Sequence, residues 1–186
     1  KDGSVKIEGS DWSYGFNLGA LFTPSSTMRY GITYRSKISH EFSGGNARFS
    51  KPADLPVPLA AAANFADTGA RASVDLPESV NLSGYADLDA AWSVMGDINW
   101  VRWSRFEELR VRRANGAADI VTPEQWRDTW RMSAAANYRY NNEWKLRGGI
   151  AYDQTPVKDE CRTARIPDND RTWLAVGAQY KPTKQA

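Results

Sequence analysis

From Trp130 to Tyr152 this chain alternates two kinds of side chain with a strict period of two. Trp130, Met132, Ala134, Ala136, Tyr138 and Tyr140 interleave with Arg131, Ser133, Ala135, Asn137, Arg139 and Asn141. After Asn142-Glu143 the pattern restarts, with Trp144, Leu146, Gly148, Ile150 and Tyr152 between Lys145, Arg147, Gly149, Ala151 and Asp153. Successive side chains of a strand point to opposite faces, so each segment has one apolar face and one polar or small face. The apolar stripe carries aromatic rings at its ends and aliphatic or small groups between them. Water gives that order no advantage. A bilayer does, because amphipathic rings favour the two interfaces and aliphatic groups favour the hydrocarbon. The pattern predicts an all-β protein, an antiparallel transmembrane β-barrel.

Bulk composition agrees with strands as the spanning element. Mean hydropathy is −0.59, and no run approaches the ~20 apolar residues a helical span needs. A barrel tolerates such a value because only alternate residues face lipid. Eight Trp and eight Tyr are many for this length, and interfacial girdles account for them. The net charge of +2 comes from both signs scattered along the chain, which argues against a nucleic-acid partner. Cys161 is the single cysteine, so neither an intramolecular disulfide nor a cysteine metal cluster is available. At 186 residues one domain is expected. The opening Lys1-Asp2-Gly3-Ser4 lacks the apolar core of a signal peptide.

Seven segments carry the period-two signal: Trp12 to Phe22, Met28 to about His40, about Ala72 to Ala86, Trp92 through Arg102 to Phe106 and on towards Val111, Trp130 to Tyr140, Trp144 to Tyr152, and Thr172 to Tyr180. Pro77 interrupts the third, which suggests a bulge or a late start to pairing. The connections alternate between short and long. This asymmetry, tight periplasmic turns against longer extracellular loops, is a habit of bacterial outer-membrane barrels. Turns 23–27, 87–91 and 141–143 are then periplasmic, and the loops near 43–71, 112–128 and 154–170 extracellular. Seven strands, ~4.8 Å apart and tilted ~40°, would close at about 14 Å across, leaving no useful lumen. An open sheet would expose unpaired edges to lipid. The expectation is therefore a partial barrel, residues 1–186 being an internal piece of a larger one.

Several stretches resemble the FadL/TodX family of outer-membrane transporters of long-chain fatty acids and other hydrophobic compounds. They are Gly19-Ala20-Leu21-Phe22-Thr23-Pro24, Arg29 to Ser36, Leu76-Pro77-Glu78-Ser79, Trp103 to Leu109, Trp126 to Arg131, Gly149 to Val157 and Arg165 to Leu174. The resemblance implies a fourteen-stranded barrel plugged by an N-terminal hatch, with this chain supplying about seven strands, the sixth to the twelfth. It also implies passive, ligand-gated uptake with no cofactor, by a barrel that is monomeric when full length. The hatch with its Asn-Pro-Ala signature and the kinked strand of the lateral exit would lie outside the sequence.

Candidate ligand contacts fall in two places. Leu55-Pro56-Val57-Pro58-Leu59, the alanine run after it and Phe65 make one loop unusually apolar. The resemblance implies that Leu55, Val57, Leu59 and Phe65 help form an external groove where a greasy ligand is first captured; the alternative is packing against a neighbouring loop. On the polar face, Arg131 and Arg147 could hold a carboxylate by a charge-assisted hydrogen bond, or pair with acidic groups of strands or plug, as could Arg35 and Arg139. The position where family members place a basic head-group ligand aligns with Thr122, which is uncharged. The Arg165–Arg171 stretch is expected to form a self-satisfied turn, with Asp168 and Asp170 pairing to Arg162, Arg165 or Arg171, the alternative being a gate or a head-group contact. Glu107 and Glu108 beside Arg110, Arg112 and Arg113 read as a solvated strand extension or as a contact with lipopolysaccharide.

The expected function is uptake of a long-chain fatty acid or another hydrophobic small molecule across the outer membrane of a Gram-negative cell. A general porin is the first alternative. Gly15, Gly19, Ala135, Gly149 and Ala151 on the inner face suit close packing against a plug better than a water-filled channel. An enzyme is not expected. A Ser–His pair would need His40, the only histidine, and adjacent Ser39 would point to the other face of a strand.

Overall fold

The computed structural model describes residues 4–50 and 66–182. Among the described residues, twelve strands form two antiparallel sheets. They are β1 (Ser4–Glu8), β2 (Asn17–Ser25), β3 (Met28–Arg35), β4 (Ile38–Ser50), β5 (Thr68–Leu76), β6 (Ser79–Asp87), β7 (Trp92–Val101), β8 (Glu108–Arg113), β9 (Ile120–Pro123), β10 (Thr129–Arg139), β11 (Trp144–Asp153) and β12 (Arg171–Tyr180). One unit holds a five-stranded sheet in the order β1-β4-β5-β8-β9, and a second holds a seven-stranded sheet in the order β12-β11-β10-β7-β6-β3-β2.

The seven strands of the larger sheet correspond to the seven alternating segments, with four differences. The first strand begins at Asn17 rather than Trp12. Residues 11–14 are tied instead to β4, where Asp11 accepts a hydrogen bond from Glu41 N at 3.0 Å and Ser13 Oγ donates to Ser39 O. Trp12 and Tyr14 stand clear of the sheet, 90% and 88% exposed. The second segment is two strands. It breaks at Ser36, whose N donates to Phe16 O and whose Oγ accepts from Phe16 N, both at 2.9 Å. The third is also two strands, and Pro77 marks neither a bulge nor a late start. The chain leaves one sheet at Leu76 and enters the other at Ser79. The fourth segment ends at Val101, and its continuation towards Val111 is a 3-10 turn (Trp103–Arg105) followed by β8 of the other sheet. Strand also extends into stretches expected to be loop, through Ser50 in β4 and as β9.

Burial in the seven-stranded sheet is inverted relative to a water-soluble one. The buried strand residues are polar: Ser93, Thr129 and Asn137. The apolar stripe lies open, with Met132 48% and Leu82 49% exposed. Register aligns Ile32, Leu82, Ile98, Met132 and Tyr152 in one row across five strands. Aromatic rings bracket this band. Trp92 meets Tyr138 at 4.7 Å and Trp144 meets Tyr180 at 4.8 Å near the tight-turn end. Tyr34, Val80, Trp100 and Trp130 share a row at the other end. So large an apolar face needs a lipid environment.

The tight turns at 87–91 and 141–143 fall where the sequence placed them, and each has a local cause; the turn expected at 23–27 is confined to Ser26-Thr27, because β2 runs on through Thr23-Pro24-Ser25. Asp89 Oδ1 accepts from Ala91 N and Trp92 N, both at 2.7 Å, and Asn141 Oδ1 accepts from Glu143 N and Trp144 N at 2.9 and 2.7 Å. Such Asx contacts let a short side chain substitute for the missing backbone partner. The five-stranded sheet has a small apolar centre of its own, made by Ala47, Ala70 and Val111 with Phe49 and Ala72 packed against it.

Candidate functional site

The polar face of the seven-stranded sheet carries continuous rows that no single segment reveals. Thr33, Asn81, Asn99, Arg131, Asp153 and Arg171 are successive in-register neighbours across six strands. Asp153 has an arginine on each side and pairs with Arg171 at 3.3 Å. The Arg131 side chain is left exposed, with no hydrogen bond or ion pair to any described residue. Its other neighbour, Asn99, has a buried Oδ1 without a hydrogen-bond partner. A free guanidinium beside an orphaned acceptor is an unfinished polar site, because a buried acceptor without a donor loses hydration uncompensated.

The remaining polar positions are mostly satisfied. Ser133 Oγ donates to Asp97 at 2.5 Å and Asn137 Nδ2 to Ser93 Oγ at 3.0 Å. Arg147 is spent on Gln179 at 2.6 Å, Arg35 on Asn17 at 3.2 Å and Arg139 on Ala90 O at 3.2 Å. In the sequence these arginines are equivalent, and only register separates Arg131 from the rest. Leu55, Val57, Leu59 and Phe65 lie outside the described residues. Thr122 sits in β9 opposite Leu109. Gly149 is a tight position: a Cβ there would lie 3.1 Å from Ala135 Cβ.

At the end of the strands away from the tight turns, two acidic clusters hold the connections. Glu78 is 7% exposed and accepts from Arg105 Nε at 2.5 Å, Arg105 Nη2 at 2.8 Å and Arg102 Nη1 at 3.1 Å. The Arg105 fork holds its carboxyl at about 2, with Arg102 adding to the effect and burial opposing it. Arg102 N also donates to Glu78 O at 3.0 Å. Glu78 and Arg105 lie in stretches that carry the family resemblance, and nothing local to either marks them as partners.

In the second cluster Asp170 accepts from Tyr152 OH at 2.5 Å and Thr155 N at 2.8 Å, and lies 3.6 Å from Arg127. The Tyr152 hydroxyl, the Thr155 amide and Arg127 keep its carboxyl below the usual range. Asp168 accepts from Thr155 Oγ1 at 2.7 Å and faces Arg171 at 3.7 Å. The turn is self-satisfied, but Asp170 uses Tyr152 and Thr155 before any arginine. Arg162 pairs with Asp159 instead.

His40 Nδ1 lies 3.4 Å from Asp11, stacked on Phe42. Arg110 is held between Glu108 at 2.6 Å and Asp119 at 2.9 Å.

A family profile described as outer membrane protein transport protein (OMPP1/FadL/TodX) matches residues 1–186. The chain belongs to that family. A long-chain fatty acid transport protein of Escherichia coli O157:H7 is 32% identical over 192 residues, covering 100% of this chain and 43% of the relative. A solved FadL homologue of Pseudomonas aeruginosa superimposes with a TM-score of 0.78 at 25% identity, covering 92% of this chain and 40% of the other. The Pseudomonas putida toluene transporter TodX gives 0.58 at 22% identity, a likeness of fold. This FadL-family chain thus spans less than half the length of the relatives it matches. It is a partial transmembrane β-barrel of the outer membrane, crossing it several times.

Proposed function

We propose that the full-length protein takes up long-chain fatty acids or other hydrophobic compounds by passive, ligand-gated diffusion through a plugged barrel. A greasy ligand is captured outside, moves to a site on the inner wall and leaves sideways into the membrane. The observation that carries this reading is the exposed Arg131 side chain, without a hydrogen-bond or ion-pair partner among the described residues, on the polar face of a lipid-bathed sheet. Arg131 holds the carboxylate of an acidic ligand and Arg147 acts through Gln179. Leu55, Val57, Leu59 and Phe65 form part of the capture surface. The full-length barrel acts as a monomer surrounded by outer-membrane lipid and lipopolysaccharide, without a cofactor or a catalytic step.

The test is uptake of labelled oleate and of toluene by cells carrying the full-length gene. Arg131→Gln is expected to weaken the apparent affinity for oleate about tenfold, the worth of one charge-assisted hydrogen bond, and to leave toluene uptake unchanged. Equal loss of both substrates removes the carboxylate role. Deletion of residues 55–65 is expected to lower uptake of both, and unchanged uptake removes the capture role. Free passage of small sugars through reconstituted protein would favour the porin alternative.

A further inference from the structure

We propose that Arg71 and Arg112 form a binding site for a phosphate group, supplied by the headgroup of an outer-leaflet glycolipid. This rests on the proposed neighbourhood of lipopolysaccharide and adds the residues that would grip it. Arg71 of β5 and Arg112 of β8 are in-register partners in the five-stranded sheet. Directly opposed side chains of an antiparallel pair start about 5 Å apart, and like charges there repel. Both arginines are exposed, and neither has an ion-pair partner among the described residues. Two forked cations on one face form a clamp for an anion with several oxygens.

The surroundings complete a concave site. Arg71 and Arg112 line a depression of about 440 Å³ together with Ser43 and Ser73. Between Phe42 and Gly45 the β4–β5 register shifts, inserting Ser43 and Gly44 as a bulge. A bulge leaves backbone polar groups out of the ladder, and a Cβ on Gly44 would meet nothing within 4 Å. Arg110, on the same wall, is neutralised by Glu108 and Asp119. Glu41 lines the depression as a carboxylate with no ion pair among the described residues. It repels a bare anion at that edge and suits a headgroup that carries a cation beside its phosphate. Arg113, one residue on, belongs to the opposite face and donates to Ala118 O at 2.6 Å.

The experiment uses full-length protein in detergent. Its midpoint of thermal unfolding is measured alone, with diphosphoryl lipid A, with dephosphorylated lipid A and with inorganic phosphate; binding is titrated with the two lipids. Wild type is expected to bind diphosphoryl lipid A at least tenfold more tightly than the dephosphorylated form. Arg71→Gln and Arg112→Gln should abolish that preference, and Arg113→Gln, which removes the same charge from the other face, should keep it. Without lipid, neither Arg71→Gln nor Arg112→Gln should lower the unfolding midpoint, because each relieves a repulsion. Stabilisation of wild type by inorganic phosphate but not by lipid A would support the phosphate clamp and assign its anion to a soluble source. Equal binding of both lipids together with no effect of phosphate, or equal loss in Arg113→Gln, overturns the proposal. Oleate uptake by the same variants keeps the two readings apart: failure of uptake in wild type leaves the lipid result standing, and loss of phosphate dependence leaves uptake standing.

Discussion

Ala134→Arg is expected to destabilise the full-length barrel by about 2–4 kcal/mol, and Ala135→Arg by less than half of that. The two alanines are adjacent on β10 and differ in the face they present. Ala134 lies in the open apolar stripe between Trp130 and Tyr138, opposite Gly96 of β7 and Ile150 of β11. An arginine there places a guanidinium near the middle of the hydrocarbon, with four residues of strand on each side to the girdles. Ala135 is opposite Met95 and Gly149 on the inner wall, among Ser133, Asn137 and Arg131. Long cations are tolerated on such a wall if water or a polar neighbour can reach them. The measurement is urea unfolding of full-length protein refolded into vesicles, comparing midpoints at a common slope. Were Ala135→Arg the costlier change, the apolar stripe would be an enclosed interior and the transporter assignment would fail with it.

Glu78→Gln is expected to cost about 2 kcal/mol at neutral pH, because it removes the anion that three guanidinium hydrogen bonds converge on. Both arginines are partly exposed, which keeps the loss below that of a fully buried pair. The sign of the pH dependence follows from the folded state holding Glu78 at about 2, below the ~4.3 of an unperturbed glutamate. The unfolded chain therefore binds its proton first as pH falls. The contribution is complete above about pH 4.5 and is lost between there and about pH 2. Wild type should lose stability through that window more steeply than Glu78→Gln, in the same urea titration repeated at several pH values. Identical profiles for the two proteins would show that the Arg102–Glu78–Arg105 cluster does not secure the start of β6 against the segment that follows β7.

How much could be read in advance depended on the range of the interaction. The alternation of Trp130 to Tyr152, the turns at Asp89 and Asn141 and the aromatic brackets are patterns within a few residues, and the structure repeats them. Breaks between strands were harder. Ser36 ends β3 by bonding to Phe16, twenty residues earlier, and nothing adjacent to Ser36 signals that partner. Tyr14 continued the period of two into residues that pair with the other unit, so periodicity alone overran the strand by five positions. Among the polar-face arginines, charge and spacing were equivalent for Arg131 and Arg147. Gln179 and Asp153 distinguish them, and both assignments depend on which strand is the neighbour.

What the sequence determined by itself is which face of each strand lipid can touch, since a period of two is written residue by residue and a bilayer tolerates only one assignment of it. What tertiary structure decided is who stands beside whom. Glu78 reaches Arg105 across 27 residues, and Arg71 meets Arg112 across the β5–β8 pair. Such meetings depend on strand order and register, which hydrogen-bonded pairing fixes over distances where local side-chain pattern carries no information.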